Sequence, residues 1–392
     1  MRACMLAYSF YESDNRVRRY AETLVNRGDR VDAIALRRPG QPRLETIAGV
    51  RVHRIQMRER NEKTPLHYLL KLLSFWLRSA WVVSCLHMES RFSLIHVHSV
   101  PDFQVFATFL PRLLGAKVIL DIHDIVPEFY ASKFKVKETS IVFGLLAWIE
   151  RLSARFSNHV IIANHLWHAK LVKRSVPPER CTTIINYPDL SIFRNRGAKQ
   201  PGGSEFVMCY PGTLNWHQGV DRAVLAVDSL REKLPHLRFR IIGSGPDRDS
   251  LTALIRRRRL EDRVSVEDSV PIEEIAATMA AVDLGVVPKR RDSFGNEAFS
   301  TKIMEFMAMG VPVLASDTRV DRYYFSEELV QFFDSDRADD LAAKIHELAT
   351  DAGKRAALRT RGLDFVQENN WGVMSHQYCD LVDSLLRQAA LR

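Results

Sequence analysis

Residues 206–242 read FVMCYPGTLNWHQGVDRAVLAVDSLREKLPHLRFRII. Residues 206–210 are a short apolar run typical of a buried strand, and a Pro-Gly turn follows them. Residues 238–242, RFRII, are a second strand candidate. Residues 219–234 between them have the apolar spacing of a helix. A strand, a helix and a second strand in this order predict a parallel sheet with helices on its faces.

The alternation of strands and helices extends over the whole chain. Apolar runs predict further strands at 3–8, 30–36, 50–55, 94–98, 117–121, 160–163, 264–267, 283–287 and 311–316. Helical patterns occupy 17–28, 103–114, 248–258, 272–281, 301–309 and 339–350. Because 392 residues exceed a single core, we expect an α/β protein of two Rossmann-like doubly wound domains that face each other across a cleft.

One segment interrupts the alternation. Residues 192–205 are polar, rich in Gly and Pro, and without apolar period, which is typical of a linker. We therefore place an N-terminal domain at 1–195, a linker at 196–204 and a C-terminal domain at 205–370.

The net charge of the chain is +9, which favours an anionic partner: nucleotide phosphates, a lipid diphosphate, a membrane surface or nucleic acid. The basic residues do not alternate with an aromatic platform, so we do not expect nucleic-acid binding. The five cysteines are scattered and show no paired spacing. They indicate neither a disulfide framework nor a zinc site, and they favour a reducing compartment.

Residues 69–86, LLKLLSFWLRSAWVVSCL, form the most membrane-like segment. Lys71 and Arg78 lie near its middle, and each central Lys or Arg costs about 2.5–3.5 kcal/mol in a spanning helix. We interpret the segment first as a core helix and, as the alternative, as an interfacial amphipathic helix.

The most informative motif is FGNEAFSTKIMEFMAMGVPV at residues 294–313. Glu297 precedes a predicted helix that has Ser300 as its N-cap and starts at Thr301, and Glu305 lies in the early turns. The free N–H groups and positive dipole end of a helix N-terminus suit a diphosphate. A carboxylate accepts hydrogen bonds from two adjacent hydroxyls, as on a ribose. The alternative is an ordinary capped helix with a solvated acidic face.

This motif, with the following Ala308, Gly310, Pro312 and Val313, resembles the two-glutamate region of the family 4 retaining glycosyltransferases. The likeness is to the bacterial branch that builds surface polysaccharides. It implies the GT-B fold and a hexosyltransferase-type enzyme that takes a nucleoside diphosphate sugar, preferably a UDP-sugar, and needs no cofactor. It also implies that 371–392 is a helix that crosses back to the N-terminal, acceptor-side domain.

The resemblance assigns roles to the residues of the motif. Glu297 would contact hydroxyls of the donor sugar, and Glu305 would contact the nucleotide ribose. The other donor-binding residues it implies in this motif are Phe299, Ser300, Thr301 and Lys302.

A second motif is YPGTLNWHQG at residues 210–219, which lies between a strand and a helix and so is well placed for phosphates. We assign Gly212, Thr213 and Gln218 to donor binding. The family usually has an arginine and a lysine where this chain has Thr213 and Gln218, and losing two cations costs leaving-group stabilisation. Candidates to compensate are Arg16, Arg19, Lys289, Arg290 and Lys302. Alternatively, the glycines serve only the turn and its packing.

The third motif is DIHDIVPEF at residues 121–129, at the end of a predicted strand. It resembles the family loop whose histidine borders the reacting sugar carbon, so His123 would orient the sugar. Asp124 or Glu128 would hold the acceptor. We therefore count His123, Asp124 and Glu297 as catalytic candidates.

The fourth motif is SDNRVRR at residues 13–19, where family members often have a glycine pair. Asn15 and Arg16 would supply a backbone amide or a cation to the donor phosphate. The alternative is a helix start with solvated arginines.

Two histidines raise the question of a metal. His96 and His98 lie on one face of a strand because strand side chains alternate, but no third ligand is evident. We interpret them as core or cleft histidines. No Asp-x-Asp suitable for a metal-bound sugar nucleotide stands out, so we expect metal independence.

Taken with these features, the resemblance implies retaining transfer of a sugar to a hydroxyl of a saccharide or polyprenyl-linked acceptor. We expect a cytoplasmic enzyme at the inner membrane face, in peripheral contact with anionic lipid. Two alternatives stay open: a catalytically weak nucleotide-sugar-binding subunit, suggested by Thr213 and Gln218, and a UDP-sugar epimerase of the same architecture.

Overall fold

The computed structural model describes residues 1–58, 65–134, 136–194 and 205–390. They divide into two compact units, Met1–Asn186 with Ser375–Arg392, and Tyr187–Met374. The predicted linker 196–204 lies outside the described residues. The predicted boundaries at 195, 205 and 371 stay predictions.

The first unit contains an eight-stranded sheet in the order β3-β4-β2-β1-β5-β6-β7-β8. Its strands are β1 (Arg2–Ala7), β2 (Arg30–Arg37), β3 (Leu44–Ile47), β4 (Val50–Met57), β5 (Leu94–His98), β6 (Lys117–Ile122), β7 (His159–Ile162) and β8 (Cys181–Thr183). All neighbours are parallel except β3 and β4, which form an antiparallel pair. The carboxyl ends of the parallel strands therefore meet at one edge.

The helices of the first unit connect these strands. They are α1 (Asn15–Asn26), α2 (Pro65–Glu89), α3 (Phe109–Leu113), α4 (Val126–Phe134), α5 (Ile141–Phe156) and α6 (His165–Arg174). Residues 103–114, predicted as one helix, instead form a 3-10 helix at Asp102–Thr108 followed by the short α3. A single helix would place Pro111 in its interior, where proline removes a backbone hydrogen bond.

The second unit contains a six-stranded parallel sheet in the order β11-β10-β9-β12-β13-β14. Its strands are β9 (Phe206–Pro211), β10 (Leu237–Ile242), β11 (Val264–Glu267), β12 (Leu284–Val287), β13 (Val313–Ser316) and β14 (Gln331–Phe333). Its helices are α7 (Val220–Ser229), α8 (Arg248–Arg258), α9 (Ile272–Ala280), α10 (Thr301–Ala308), α11 (Arg319–Tyr324), α12 (Ala338–Thr350) and α13 (Ala352–Glu368). The last helix of the chain is α14 (Trp371–Ala390).

The core of the second unit lies on both faces of its sheet. All four residues of β12 are buried, and so are all four of β13. Helices α7 and α12 pack against each other, as do α10 and α13. Burial on both faces explains why these strands read as continuous apolar runs rather than as alternating ones. The prediction of two Rossmann-like α/β domains is thus confirmed.

Helix α2 is buried on one face only. Leu72, Phe75 and Val83 are buried, whereas Leu77 and Trp81 are 61% and 72% exposed. The first interpretation of 69–86 as a core helix is therefore correct for only one side of the helix. Within the described residues, His67–Glu89 is long and apolar enough to cross a membrane. Of its apolar 18-residue stretch, 22% is buried in the protein.

Candidate functional site

Helix α10 begins at Thr301, directly after Ser300, as the sequence predicts. Ser300 has the extended backbone of an N-cap residue, but its side chain makes no cap hydrogen bond. The Ser300 hydroxyl is buried and has no hydrogen-bond partner among the residues that the structure describes. This hydroxyl and the first N–H groups of α10 are therefore available as donors to an anion.

Glu297 lies in the loop before α10 and is only 6% exposed. Its Oε1 accepts a hydrogen bond from Arg319 Nη1 at 3.3 Å. Asn296, beside it, accepts the backbone N–H of Arg319 at 2.8 Å and that of Val320 at 3.0 Å. The loop is thus fastened to the start of α11, which holds the Glu297 carboxylate in a defined position.

Lys302 lies in the first turn of α10 against the loop that follows β9. Its ammonium is 5.4 Å from the centre of the Tyr210 ring, a cation–π distance. Burial lowers the pKa of Lys302, and the charge of Glu305, one turn along the same helix, opposes that shift. Lys302 forms no salt bridge within the described part of the chain.

Gly212 leaves room for this lysine. Its φ is 141°, a conformation that favours glycine, and a Cβ at this position would overlap Cε of Lys302. The loop predicted to bind phosphates and the helix predicted to bind them are therefore in direct contact through Gly212 and Lys302.

Thr213 and Gln218 replace the expected cations in the same loop. The Tyr210 hydroxyl lies 3.0 Å from the Thr213 carbonyl oxygen and 3.0 Å from Gln218 Oε1. Gly219 follows with a φ of 62°, and a Cβ there would overlap the carbonyl oxygen of Pro288. The Gln218 side chain therefore helps to shape the loop through Tyr210.

Two other candidate cations are engaged within the second unit. Lys289 forms a salt bridge of 2.9 Å with Asp321 and donates to the carbonyl oxygen of Ala298 at 2.8 Å. Arg290 forms a salt bridge of 2.6 Å with Asp221. Lys289 thereby supports the loop between Glu297 and α10.

In the first unit, Asp121 connects two predicted site residues. This fully buried carboxylate accepts two hydrogen bonds from Arg16, at 3.1 and 2.5 Å, and lies 3.1 Å from His123 Nε2. Burial alone would raise the pKa of Asp121, but the charges of Arg16 and His123 hold it well below its usual range. The guanidinium proposed to meet a phosphate thus serves first to hold Asp121, and Asp121 orients His123.

His96 and His98 join this network from the neighbouring strand. His98 Nδ1 lies 3.1 Å from His123 Nε2, and His96 Nδ1 lies 3.0 Å from the Tyr378 hydroxyl. Burial lowers the pKa of both histidines, to about 3 for His98. They are core histidines with buried polar partners, in line with the interpretation from the sequence.

Asp121 is also a third potential metal ligand, which the sequence did not reveal. His96, His98 and Asp121 are close enough to hold a metal ion. The two imidazole rings, however, stack with centroids 4.2 Å apart and an angle of 15°. A metal ion lies near the plane of each imidazole that binds it, and two nearly parallel planes do not meet at one ion. With Arg16 also bound to Asp121, this geometry fits a hydrogen-bond network better than a metal centre.

The remaining candidates of this unit lie beside the network. Asn15 is the first residue of α1, and the preceding Asp14 caps the helix. Asp124 is half-buried, and burial raises its pKa. Glu128 is bound through both oxygens to Arg174, at 2.6 and 3.0 Å, so Asp124 is the more available of the two acidic residues.

Two family profiles match consecutive parts of the chain. The family described as Glycosyl transferase 4-like domain matches residues 13–186, and Glycosyl transferases group 1 matches residues 191–364. The chain belongs to the GT-B glycosyltransferases of family 4. The family and the fold inferred from the resemblance of residues 294–313, family 4 and GT-B, are thereby confirmed.

Individual relatives of this glycosyltransferase are distant. The putative colanic acid biosynthesis glycosyltransferase WcaL of Salmonella typhimurium is 29% identical over 38% of this chain and 37% of its own length. This glycosyltransferase therefore matches less than half the length of WcaL. GDP-mannose:cellobiosyl-diphosphopolyprenol alpha-mannosyltransferase of Xanthomonas campestris is 23% identical over 73% of each chain.

A solved structure shares the fold. Anabaena HepE, in complex with UDP and glucose, superimposes with a TM-score of 0.72 and 17% identity over 98% of this glycosyltransferase and all of HepE. At this identity the likeness concerns the architecture alone.

Sequence reasoning missed three supporting residues of this glycosyltransferase: Asp121, Asp321 and Tyr378. Asp121 could have been found from the sequence, because it lies in the predicted strand only two positions before His123. Asp321 and Tyr378 carry no local signal, since their partners are distant in the chain.

Proposed function

We propose that this chain transfers a glycosyl group, with retention of anomeric configuration, from a nucleoside diphosphate sugar to a hydroxyl group. A UDP-sugar is the favoured donor, and a saccharide or polyprenyl-linked saccharide of polysaccharide biosynthesis is the acceptor. The observation that carries the proposal is the start of α10. There Glu297, the free Ser300 hydroxyl and Lys302 surround the helix N-terminus beside Gly212.

The donor diphosphate would bind at this N-terminus. The N–H groups of α10, the Ser300 hydroxyl and the Lys302 ammonium are all donors, and a preorganised set of donors stabilises the charge that develops as the diphosphate departs. Glu297 would hold hydroxyls of the transferred sugar, and Glu305 those of the ribose. Phe299 and Thr301 complete the donor contacts, with Thr213 and Gln218 shaping the adjoining loop.

In the reaction, the acceptor oxygen forms a bond to the anomeric carbon while the bond from that carbon to the diphosphate oxygen breaks on the same face. The departing diphosphate oxygen takes the acceptor proton, so the products are a glycoside and a nucleoside diphosphate. This path requires orientation rather than a strong protein base. We assign that orientation to His123, held by Asp121, and the acceptor contact to Asp124. Asn15 and Arg16 would approach the phosphates.

Two of the known proteins have names or ligands that bear on the nucleotide base and on the acceptor. HepE was solved with UDP and glucose, whereas the Xanthomonas relative is named for GDP-mannose and a diphosphopolyprenol acceptor. We favour a UDP-sugar from the motif, and a lipid-linked acceptor from the basic charge and the exposed face of α2. We further propose metal-independent action in the cytoplasm at the inner membrane face.

The test begins with a panel of nucleotide sugars and thermal unfolding. A cognate donor at about 100 times its Kd adds about 2.7 kcal/mol to the free energy of unfolding. Donor hydrolysis is then followed without acceptor, and the anomeric configuration of the product is read by NMR. Binding without any hydrolysis would support the binding-subunit alternative, donor interconversion without acceptor would indicate the epimerase, and an inverted product would refute retention.

A further inference from the structure

A basic cavity of about 800 Å³ lies in the first unit, between the β3–β4 hairpin and helix α2. Four basic residues line it: Arg37 at the end of β2, Arg43 just before β3, and Lys71 and Arg78 on α2. None of them forms a salt bridge within the described residues, and no described carboxylate lines the cavity. Such a concentration of one sign of charge attracts anions.

A fifth basic residue of the lining is neutralised. Arg54 pairs with Glu12 and, at 2.6 Å, with Glu45. Among the described residues, acidic partners are thus supplied to Arg54 on one side of this hairpin and to none of the four cations of the cavity. Within that part of the chain no carboxylate offsets their charge, which a ligand or counterions from solution would then balance.

The cavity has a fixed polar floor. Gln56 donates from Nε2 to the Lys71 carbonyl oxygen at 3.0 Å, and Arg78 donates from Nη1 to the Ile55 carbonyl oxygen at 3.3 Å. Gln56 is only 6% exposed, and its Oε1 is buried with no hydrogen-bond partner among the described residues. An unpartnered buried acceptor costs about 1–3 kcal/mol, so this oxygen calls for a donor from a ligand.

The rim of the cavity is apolar and continues onto the outer face of α2. Leu77 and Trp81 line the cavity and are 61% and 72% exposed. Leu70 and Leu73 precede them on the same stripe, since the four positions follow helical spacing. A cationic cavity that adjoins a stripe of exposed Leu and Trp has the character of an interfacial surface rather than of a soluble-anion site.

We propose that this cavity binds the phosphate-bearing headgroup of a membrane lipid while the Leu70–Trp81 stripe lies in the interface of the bilayer. The inference rests on the proposed membrane contact of this glycosyltransferase and gives that contact a site. The arginines bind the phosphate oxygens, for which a guanidinium is suited, and Lys71 adds a point charge. A hydroxyl of the headgroup donates to Gln56 Oε1.

This site is separate from the residues assigned to sugar transfer. The cavity is built on β4, and His123 follows β6; the strand order β4-β2-β1-β5-β6 puts four strand spacings between them. At about 4.8 Å per spacing, the separation across the sheet is about 19 Å. Both lie at the carboxyl edge of the sheet, so a membrane-bound headgroup and a reacting hydroxyl would be served by different residues.

The test measures binding of the full chain to vesicles of phosphatidylglycerol in phosphatidylcholine at low salt. The variant Arg43→Gln, Lys71→Gln and Arg78→Gln should bind on the order of a hundredfold more weakly, since each basic residue near an anionic surface contributes about fivefold. The matched control changes Lys233, Arg256 and Arg257 to Gln, which are exposed residues of the second unit, and should stay within about threefold of wild type.

Three results would overturn the inference. An equal loss in both triple variants would indicate general charge attraction without a built site. Unchanged binding in the cavity variant would exclude the cavity. Full displacement by glycerol phosphate, with Leu77→Gln and Trp81→Gln without effect, would identify a free phosphate as the ligand.

A donor-hydrolysis assay distinguishes a failure of the lipid-site proposal from a failure of the proposed function. The cavity variant should hydrolyse the donor at the wild-type rate and show a wild-type thermal unfolding curve, which excludes misfolding. If wild type binds vesicles through the cavity but hydrolyses no donor, the proposed function fails and the lipid site stands.

Discussion

Replacing Lys302 with Met tests the proposed diphosphate contact most directly. Met keeps much of the aliphatic length that packs against Tyr210, and Lys302 has no salt-bridge partner in the described residues that the change would leave unpaired. We therefore expect stability to change by less than about 1 kcal/mol, while catalysis loses a preorganised cation. Removing one such contact costs about 2.7–4 kcal/mol, or a factor of about 10²–10³ in kcat.

The assay is steady-state donor hydrolysis, followed by transfer once an acceptor is known. Lys233→Met is the matched control, because this exposed lysine of the same unit should leave kcat unchanged. Gly212→Ala tests the same contact through the neighbouring loop. The added methyl group would displace Lys302, so this variant should also lower kcat. The double variant should be little worse than either single one, since both remove one contact.

The reasoning fails if Lys302→Met retains kcat within about threefold of Lys233→Met. It also fails if the two single losses simply multiply in the double variant, because Gly212 would then act independently of the lysine. In either case the diphosphate charge is met by other groups, and the compensation for Thr213 and Gln218 lies elsewhere.

Further predictions concern four carboxylates, those of Glu297, Glu305, Asp121 and Asp102. Glu297→Gln and Glu305→Ala should each lower donor turnover about ten- to hundredfold, since a hydrogen bond to a charged group is worth about 1.5–3 kcal/mol; wild-type turnover in both would refute their assignment. Asp121→Asn should lower the free energy of unfolding by about 3–5 kcal/mol, because it leaves Arg16 buried without its partner; denaturant titration measures this. Burial, with the charge of Glu150, raises the pKa of Asp102 to about 7. The Asp102 carboxyl therefore binds its proton more tightly in the folded protein than in the unfolded chain. The contribution of Asp102 to the free energy of unfolding is fully present below about pH 4 and falls by at most about 4 kcal/mol as the pH rises to 7. Asp102→Asn should remove this part of the pH dependence of the free energy of unfolding.

The order of strands and helices could be read from the sequence because it depends on local pattern. Apolar runs between helical segments predict parallel strands buried on both faces, and the structure has them at β12 and β13. The exceptions have local physical causes as well. Residues 103–114 share a helical apolar spacing, yet Pro111 prevents one continuous helix.

The candidate site was predictable only where its residues are close in the chain. Glu297, Ser300 and Lys302 share one segment, so their meeting at a helix start follows from the motif itself. The motif does not indicate which of the five candidate cations remains available for the diphosphate. It depends on which of them already has a carboxylate partner, and Asp221 and Asp321 reach Arg290 and Lys289 only through the fold.

The sequence by itself therefore determined the α/β class, the family and the segment that would meet a donor, because periodicity and short motifs are properties of neighbouring residues. Only the tertiary structure decided that Asp121 joins Arg16 to His123, and that Tyr378 reaches His96 across 282 positions. It also decided which face of α2 is covered. An apolar helix has the same sequence whether one or both of its faces are buried, and only the elements packed against it distinguish the two.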